Sequence, residues 1–430
     1  MKELPIFLQS ILDHAAIAQP KTILTLEGLP LKLWPAEKGH IQWLKSYLEP
    51  AAAEHHGTVQ DGNAWKIGCF FDMDIVSDAA AFQQSGKIDW IDVWNGRSVI
   101  RRSIFNRGLV LDYDSEEGLL CCYDLCNMQI IQVTSAHTKS PAHELGRLIR
   151  DIYLSLMRSK GWNLFHAAAI QANGTTYLFP GSSGSGKTSL VIAMVQSGAD
   201  FIANDRILLK LDNDKIRIKP YPMAIAIGLG TAQQYPVLKN LILEPSVLQY
   251  PRRRYSLQNV VNTPMAKWSE LPDKLQLFPH ELIKSLGATG KISTGDRVGA
   301  VIFPAISRFQ VSEFQKISRS SAEKIFSANV IEGNDDITAP WRPLPWNSKY
   351  QPRHREIVDR LLQLPMLKFS FHANRSNMNE VKSYATHLGA AMDTFFPGIE
   401  SGNITSDTSG CKTSPNDNPK QPADIQSILP

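Results

Sequence analysis

The chain has 430 residues, 43% of them hydrophobic and 20% charged. That composition can bury a sizeable core and excludes a wholly disordered chain. Lysine and arginine number 45 against 41 acidic residues, a formal net charge of +4, which argues against a dedicated nucleic-acid or membrane-surface protein. No apolar run of about 18 residues is present, so no transmembrane helix is expected.

The N-terminus imitates a signal peptide, with apolar Leu4–Leu8 and small residues at Ala16-Ile17-Ala18. Glu3 stands where a basic region belongs, and Gln9, Ser10, Asp13 and His14 break the apolar stretch, so an amphipathic first helix is the better reading. Residues 1–60 read as helical, with Ile41, Leu44 and Leu48 at helical spacing and Pro50 as the stop. From about 64 to 134 the pattern changes to short strands: Ile67 with Phe70 and Phe71, Ile88–Val93, and Leu109–Leu111. Cys121, Cys122 and Cys126 lack the paired spacing of a zinc site. Free thiols on a buried strand are expected, and with them a cytoplasmic location.

A strong helix follows, with Ser140 as N-cap, Pro141 at the first position, an apolar stripe from Leu145 to Leu156, and Gly161 as the stop. Strands are expected at about 163–171 and 175–180, joined by Asn173-Gly174, a strong hairpin signal. A helix to about 197, a strand around 199–203 and a hairpin around Asp212-Asn213-Asp214 come next. Later elements are a strand at Val298–Phe303, a helix at 353–364, a strand at Leu367–Phe371 and a helix at 376–388. The last stretch, rich in Ser, Thr, Asn, Gly and Pro, reads as a disordered tail.

Gly181-Ser182-Ser183-Gly184-Ser185-Gly186-Lys187-Thr188 satisfies the phosphate-binding pattern G-x-x-x-x-G-K-[ST] in full. A strand precedes it and an apolar helix follows, the context the pattern requires. Lys187 should reach the outer phosphates of ATP, and the Thr188 hydroxyl should bind Mg²⁺. The nucleotide-binding set is thus Gly181 through Thr188, with Ser189 next to it. Asp205, after a strand expected to lie beside the loop strand, is the candidate metal ligand and catalytic carboxylate. In a two-residue hairpin Ala172 pairs with Thr175, Ala169 with Leu178, and His166 falls opposite Gly181, which makes His166 a catalytic candidate. A core histidine is the competing reading.

The run Phe165–Ala169, the Asn-Gly hairpin, the glycine loop and Phe201–Asp205 together resemble the catalytic core of HPr kinase/phosphorylase. The likeness is greater to the HPr-kinase-like proteins often linked to peptide modification. The resemblance implies an α/β fold with a P-loop core related to phosphoenolpyruvate carboxykinase, and transfer of the ATP γ-phosphoryl to a serine hydroxyl with Mg²⁺. It puts the family's lysine and hydroxyl on Lys187 and Thr188, its histidine on His166, and its paired aspartates on Asn204 and Asp205. Asn204 is a departure, since an amide cannot take a proton. Ser189 replaces an acidic residue of the bifunctional enzymes, which argues against phosphorylase activity.

The implied organisation is an α+β N-terminal region over 1–100, a kinase domain over 101–395 and the tail over 396–430. Arg252, Arg253 and Arg254 read as a solvated loop or as a clamp for a phosphate or acidic peptide. The expected partner is a peptide or protein acceptor, with neither nucleic acid nor membrane. The bifunctional relatives are oligomers, so a homo-oligomer stays open. A small-metabolite kinase and a nucleotide-binding pseudokinase are the alternative functions.

Overall fold

A computed structural model describes residues 6–17, 22–34, 38–54, 64–84, 90–94, 99–105, 108–138, 141–243, 253–254, 257–306, 313–331, 342–345, 352–371, 388, 391, 394 and 395. The fold is mixed α/β. The first part contains helix α1 (Ile6–Ile17), strands β1 (Thr22–Leu26) and β2 (Leu29–Trp34), helix α2 (Lys38–Leu48), β3 (Ala52–Glu54), β4 (Trp65–Phe71) and helix α3 (Met73–Gln84). An antiparallel meander follows: β5 (Ile91–Trp94), β6 (Val99–Phe105), β7 (Leu109–Asp114), β8 (Leu119–Asp124) and β9 (Gln129–Thr134). All nine strands form one sheet, ordered β3-β1-β2-β4-β9-β8-β7-β6-β5. Residue 100, the boundary offered above, lies inside β6.

Two elements depart from the sequence reading. The helical reading of 1–60 fails at 22–34, which is a hairpin. Leu24, Leu26, Leu31 and Leu33 alternate into the core, and Glu27 (φ 49°) and Gly28 (φ 86°) supply the two positive φ angles of a tight turn. Helix α3 interrupts the expected run of strands. The Asp72 carboxylate accepts from the Ile75 amide at 2.9 Å, a helix-starting cap within a stretch that hydrophobicity alone assigned to strand. Cys121 and Cys122 lie buried on β8 as free thiols and Cys126 is exposed. Burial pushes the Cys121 thiol up to about 11.

Helix α4 (Pro141–Ser159) links the two parts. Ser140 lies outside the described residues. At the other end Gly161 takes φ 84°, and its amide donates to Arg158 at 2.8 Å. Then come β10 (Asn163–Phe165), β11 (Ala167–Ala172), β12 (Thr175–Pro180), helix α5 (Lys187–Gln196), β13 (Asp200–Ala203), β14 (Ile207–Asp212) and β15 (Lys215–Pro220). The single strand expected over 163–171 is therefore two, broken at His166. The hairpin register is as expected, with Ala172 opposite Thr175 and Ala169 opposite Leu178.

The remainder comprises β16 (Ile225–Gly228), α6 (Leu229–Ala232), α7 (Pro236–Leu243), β17 (Arg253–Arg254), α8 (Leu257–Asn262), a 3₁₀ turn (Met265–Glu270), β18 (Lys274–Leu277), α9 (Pro279–Leu286), β19 (Val298–Ile306), β20 (Glu313–Lys316), α10 (Arg319–Ala328), α11 (His354–Leu361) and β21 (Met366–Phe371). The tail, and all but residue 388 of the helix expected over 376–388, lie outside the described residues.

The central sheet is ordered β13-β11-β12-β19-β21-β20. Its inner strands β12 and β19 are buried on both faces and read as near-continuous apolar runs, while the edge strand β20 is polar and largely exposed. Tyr177 and Phe179 of β12 join one core with α5, while Leu178 joins the opposite core with α10 and α11. Strand β12 runs antiparallel to β11 and parallel to β19. Strand β13 therefore pairs with β11, not with the loop strand β12 as expected. The hairpin partner already occupies that edge. A third core joins the two parts: Leu24, Trp43 and Tyr153 pack in one cluster with Leu164, Leu208, Tyr221 and Phe278. Among the described residues no helix is long and apolar enough to cross a membrane.

Candidate functional site

The glycine loop joins the C-terminal end of β12 to the N-terminus of α5. Gly184 (φ 80°) and Gly186 (φ 101°) occupy left-handed backbone, where a side chain is strained. At Gly186 a Cβ would also stand 2.6 Å from Phe371 Cζ. The first amides of α5 have no partner within the helix and carry its positive dipole end. The loop is thus a concave backbone surface lined with donors, suited to an anion.

Lys187 is buried, and its ammonium donates to the carbonyls of Gly181 at 2.5 Å and Ser182 at 2.9 Å. Burial lowers its pKa, Asp205 opposes that, and Lys274 reinforces it. A phosphate would supply the counter-charge the ammonium lacks. The Thr188 hydroxyl accepts from the Asn204 side-chain amide at 3.2 Å. Asn204 is itself buried, and its Oδ1 has no hydrogen-bond partner. Ser189 meets Thr231, hydroxyl to hydroxyl, at 3.1 Å.

His166 stands at the break between β10 and β11, where the chain passes from one sheet to another. Its amide donates to Asn329 at 2.8 Å. Its Nε2 lies 3.2 Å from Asp205 Oδ1, so the two catalytic candidates meet. Arg206 Nε lies 3.6 Å from the other oxygen, Oδ2. Burial raises the Asp205 pKa, but the His166 hydrogen bond and the charges of His166, Arg206 and Lys187 outweigh it, and the carboxyl lies below its usual value.

All these groups open onto one cavity of about 650 Å³. Lys187, Thr188, Ser189, Asn204, Asp205 and His166 line it, as do Ser183, Gly184 and Gly186. The cavity is also lined by residues for which no motif spoke: Trp43 and Tyr47 of α2, His143 and Arg150 of α4, and Phe278 after β18. Trp43 and Tyr47 sit one helical turn apart and stack at 4.7 Å between centroids. Gly146 is the signal that could have found them. A Cβ there would lie 2.8 Å from Trp43 Cζ3, and an isolated glycine inside a helix marks a close packing contact. Of the arginine cluster, Arg252 lies outside the described residues. Arg253 and Arg254 pair by backbone with Leu275 and Lys274, at the far edge of a three-stranded sheet.

Among the described residues no group of three or more His, Cys, Asp or Glu side chains is placed to hold a metal ion. Mg²⁺ does not require one, since it is commonly held by one or two carboxylates together with substrate phosphates and water. Thr188 and Asp205 both line the cavity, with His166 and Arg206 against the two oxygens of Asp205.

No protein-family profile matches the chain, and no curated protein matches it in sequence. Among solved structures, the HPr(Ser) kinase/phosphatase from Coxiella burnetii is similar, with 98% of that chain and 54% of this one covered, 11% identity and a TM-score of 0.25. A superposition that loose fixes neither fold nor activity.

Proposed function

We propose that the chain is an ATP-dependent phosphotransferase that moves the γ-phosphoryl group to a hydroxyl, a serine of a peptide or protein. The single observation that carries this reading is the His166–Asp205 pair facing the same cavity as the glycine loop and Lys187. A carboxylate alone would serve nucleotide-bound Mg²⁺, but an imidazole set against it suits proton transfer from an acceptor.

Gly181–Ser189 would cradle the phosphates, and Lys187 would exchange its two carbonyl contacts for phosphate oxygens. Thr188 and Asp205 would hold Mg²⁺, which would supply charge neutralisation when bound. The acceptor oxygen bonds to the γ-phosphorus as the bridging P–O bond breaks. ADP leaves with that electron pair, and the hydroxyl proton passes to Asp205, oriented by His166. Positioning and electrostatics then supply most of the acceleration.

Transfer of labelled γ-phosphate from ATP–Mg²⁺ into a lysate of the host tests this. A labelled polypeptide absent with Lys187→Ala is the expected result, and label confined to small molecules would replace the peptide acceptor by a metabolite. Asn204 favours a second reading, a nucleotide-binding pseudokinase. Bound nucleotide with no transfer in any fraction would establish that reading and end the first.

A further inference from the structure

One arginine lining the cavity, Arg150, has no carboxylate within ion-pair distance among the described residues. Arg150 Nη1 donates to the Tyr47 hydroxyl at 2.6 Å, while its Nε is buried with no hydrogen-bond partner. Its guanidinium carbon stands 5.9 Å from the Tyr47 ring centroid and 5.5 Å from that of Tyr221. The nearby acids are engaged elsewhere: Asp151 with Arg342 at 2.7 Å and Glu144 with Arg147 at 2.8 Å. Burial opposes its charge and the charges of Asp151 and Glu144 favour it, but the guanidinium is left short of hydrogen-bond acceptors, and something else must complete it.

The surroundings say what that is. The cavity carries four cationic side chains, Arg150, Lys187, Arg206 and Lys274, against one carboxylate, Asp205. Lys187 belongs to the phosphate cradle, and Arg206 is beside Asp205. Arg150 and Asp205 line the same cavity. Tyr47, which holds Arg150, is stacked on Trp43, and Phe278 meets Trp43 edge-on at 6.1 Å, all of them lining the same cavity. A planar fork of donors framed by aromatic rings suits a carboxylate attached to an apolar or flat group.

We infer that Arg150, Trp43, Tyr47 and Phe278 form an acceptor subsite that takes a carboxylate on the molecule whose hydroxyl meets Asp205. Only the hydroxyl at Asp205 rests on the phosphotransfer reading; the carboxylate site stands on Arg150 and its walls. The first third of the chain, through α2, thereby takes part in choosing the acceptor.

The test is binding to the full chain, by calorimetry, of N-acetyl-Ser-Trp with a free C-terminal carboxylate and of the same dipeptide as its amide. The acid is expected to bind about tenfold tighter, a difference worth about 1.4 kcal/mol. Arg150→Gln should abolish the difference and Arg150→Lys should keep part of it. Tyr47→Phe, which removes only the hydroxyl that holds Arg150, guards against a misfolded Arg150→Gln and should weaken the acid alone by a few-fold. L-serine as a third probe tells a free hydroxy acid from a peptide, since either binding through Arg150 supports the subsite. Equal binding of acid and amide, binding of no probe, a preference that survives Arg150→Gln, or displacement of the acid by ADP would overturn it. ADP binding, measured on the same samples, reports separately on the glycine loop. Its absence would sink the phosphotransfer reading while leaving the carboxylate result intact.

Discussion

The Asn204 side-chain amide donates to the Thr188 hydroxyl at 3.2 Å, and the amide oxygen beside it is buried with no partner. An amide at this position steadies the hydroxyl but brings no charge to a divalent cation. Asn204→Asp would supply that charge with almost no change of shape. It is expected to lower the Mg²⁺ concentration needed for half-maximal nucleotide binding by about tenfold, on the scale of one added charged ligand interaction. Without Mg²⁺ the same substitution should weaken nucleotide binding, because a carboxylate then faces phosphate. Calorimetric titrations with and without Mg²⁺ read both effects, and an unchanged Mg²⁺ requirement would remove Asn204 from the metal's surroundings.

Asp205→Asn separates chemistry from binding. It keeps the shape of the side chain near His166 and removes the proton acceptor. Phosphoryl transfer should fall by about 10²–10⁴-fold, the usual worth of general base catalysis. ADP affinity measured without Mg²⁺, where the carboxylate has no metal to hold, should not fall. Single-turnover transfer and equilibrium ADP binding measure the two quantities, and unchanged turnover would dismiss Asp205 as the base.

Gly186→Ala attacks the cradle through the backbone. The φ angle of 101° and a Cβ 2.6 Å from Phe371 Cζ and 3.0 Å from Ile306 Cγ1 both oppose it. A loss of about 1–2 kcal/mol of stability is expected from the left-handed backbone alone. Gly287→Ala is the control, since it shares positive φ (61°) but has open space around it. Both variants should melt earlier, and only Gly186→Ala should also lose the rise in Tm that ADP produces.

Glu144 predicts an acid limit to stability. Burial works against its ionised form, but the hydrogen bond and charge of His143 and the charge of Arg147 pull its pKa from 4.5 down to about 2. A carboxyl depressed in the folded state stabilises the fold above its unfolded pKa. That contribution fades as pH falls from about 4.5 towards 2. It amounts to about 3 kcal/mol at neutral pH. Chemical denaturation across that window should show a slope that Glu144→Gln removes.

The parts of the fold written in local chemistry were readable. Asn173-Gly174 set the β11–β12 register because a two-residue turn leaves few alternatives, and the glycine loop announced itself because a phosphate cradle needs those residue types in order. What depended on distant packing was not readable. Thr22–Trp34 looked helical because five-residue apolar stretches fit either period, and the deciding feature was Glu27 accepting positive φ. The placement of β13 was misjudged because sequence neighbours do not reveal which edge of a hairpin is free. The cavity wall was invisible for a similar reason. Trp43 and Tyr47 stand well over a hundred residues before Gly181 in sequence, and on their own they read as core side chains of an amphipathic helix.

The core that Trp43, Tyr153, Leu164, Leu208 and Phe278 share has a consequence for modularity. The phosphate-binding half cannot be excised. A fragment starting near residue 141 would bare Leu164, Leu208, Tyr221 and Phe278 to water, and would strand Lys219, whose ammonium holds Glu27 at 2.5 Å across the two sheets. Such a chain would be left with half a cleft and an adhesive apolar face.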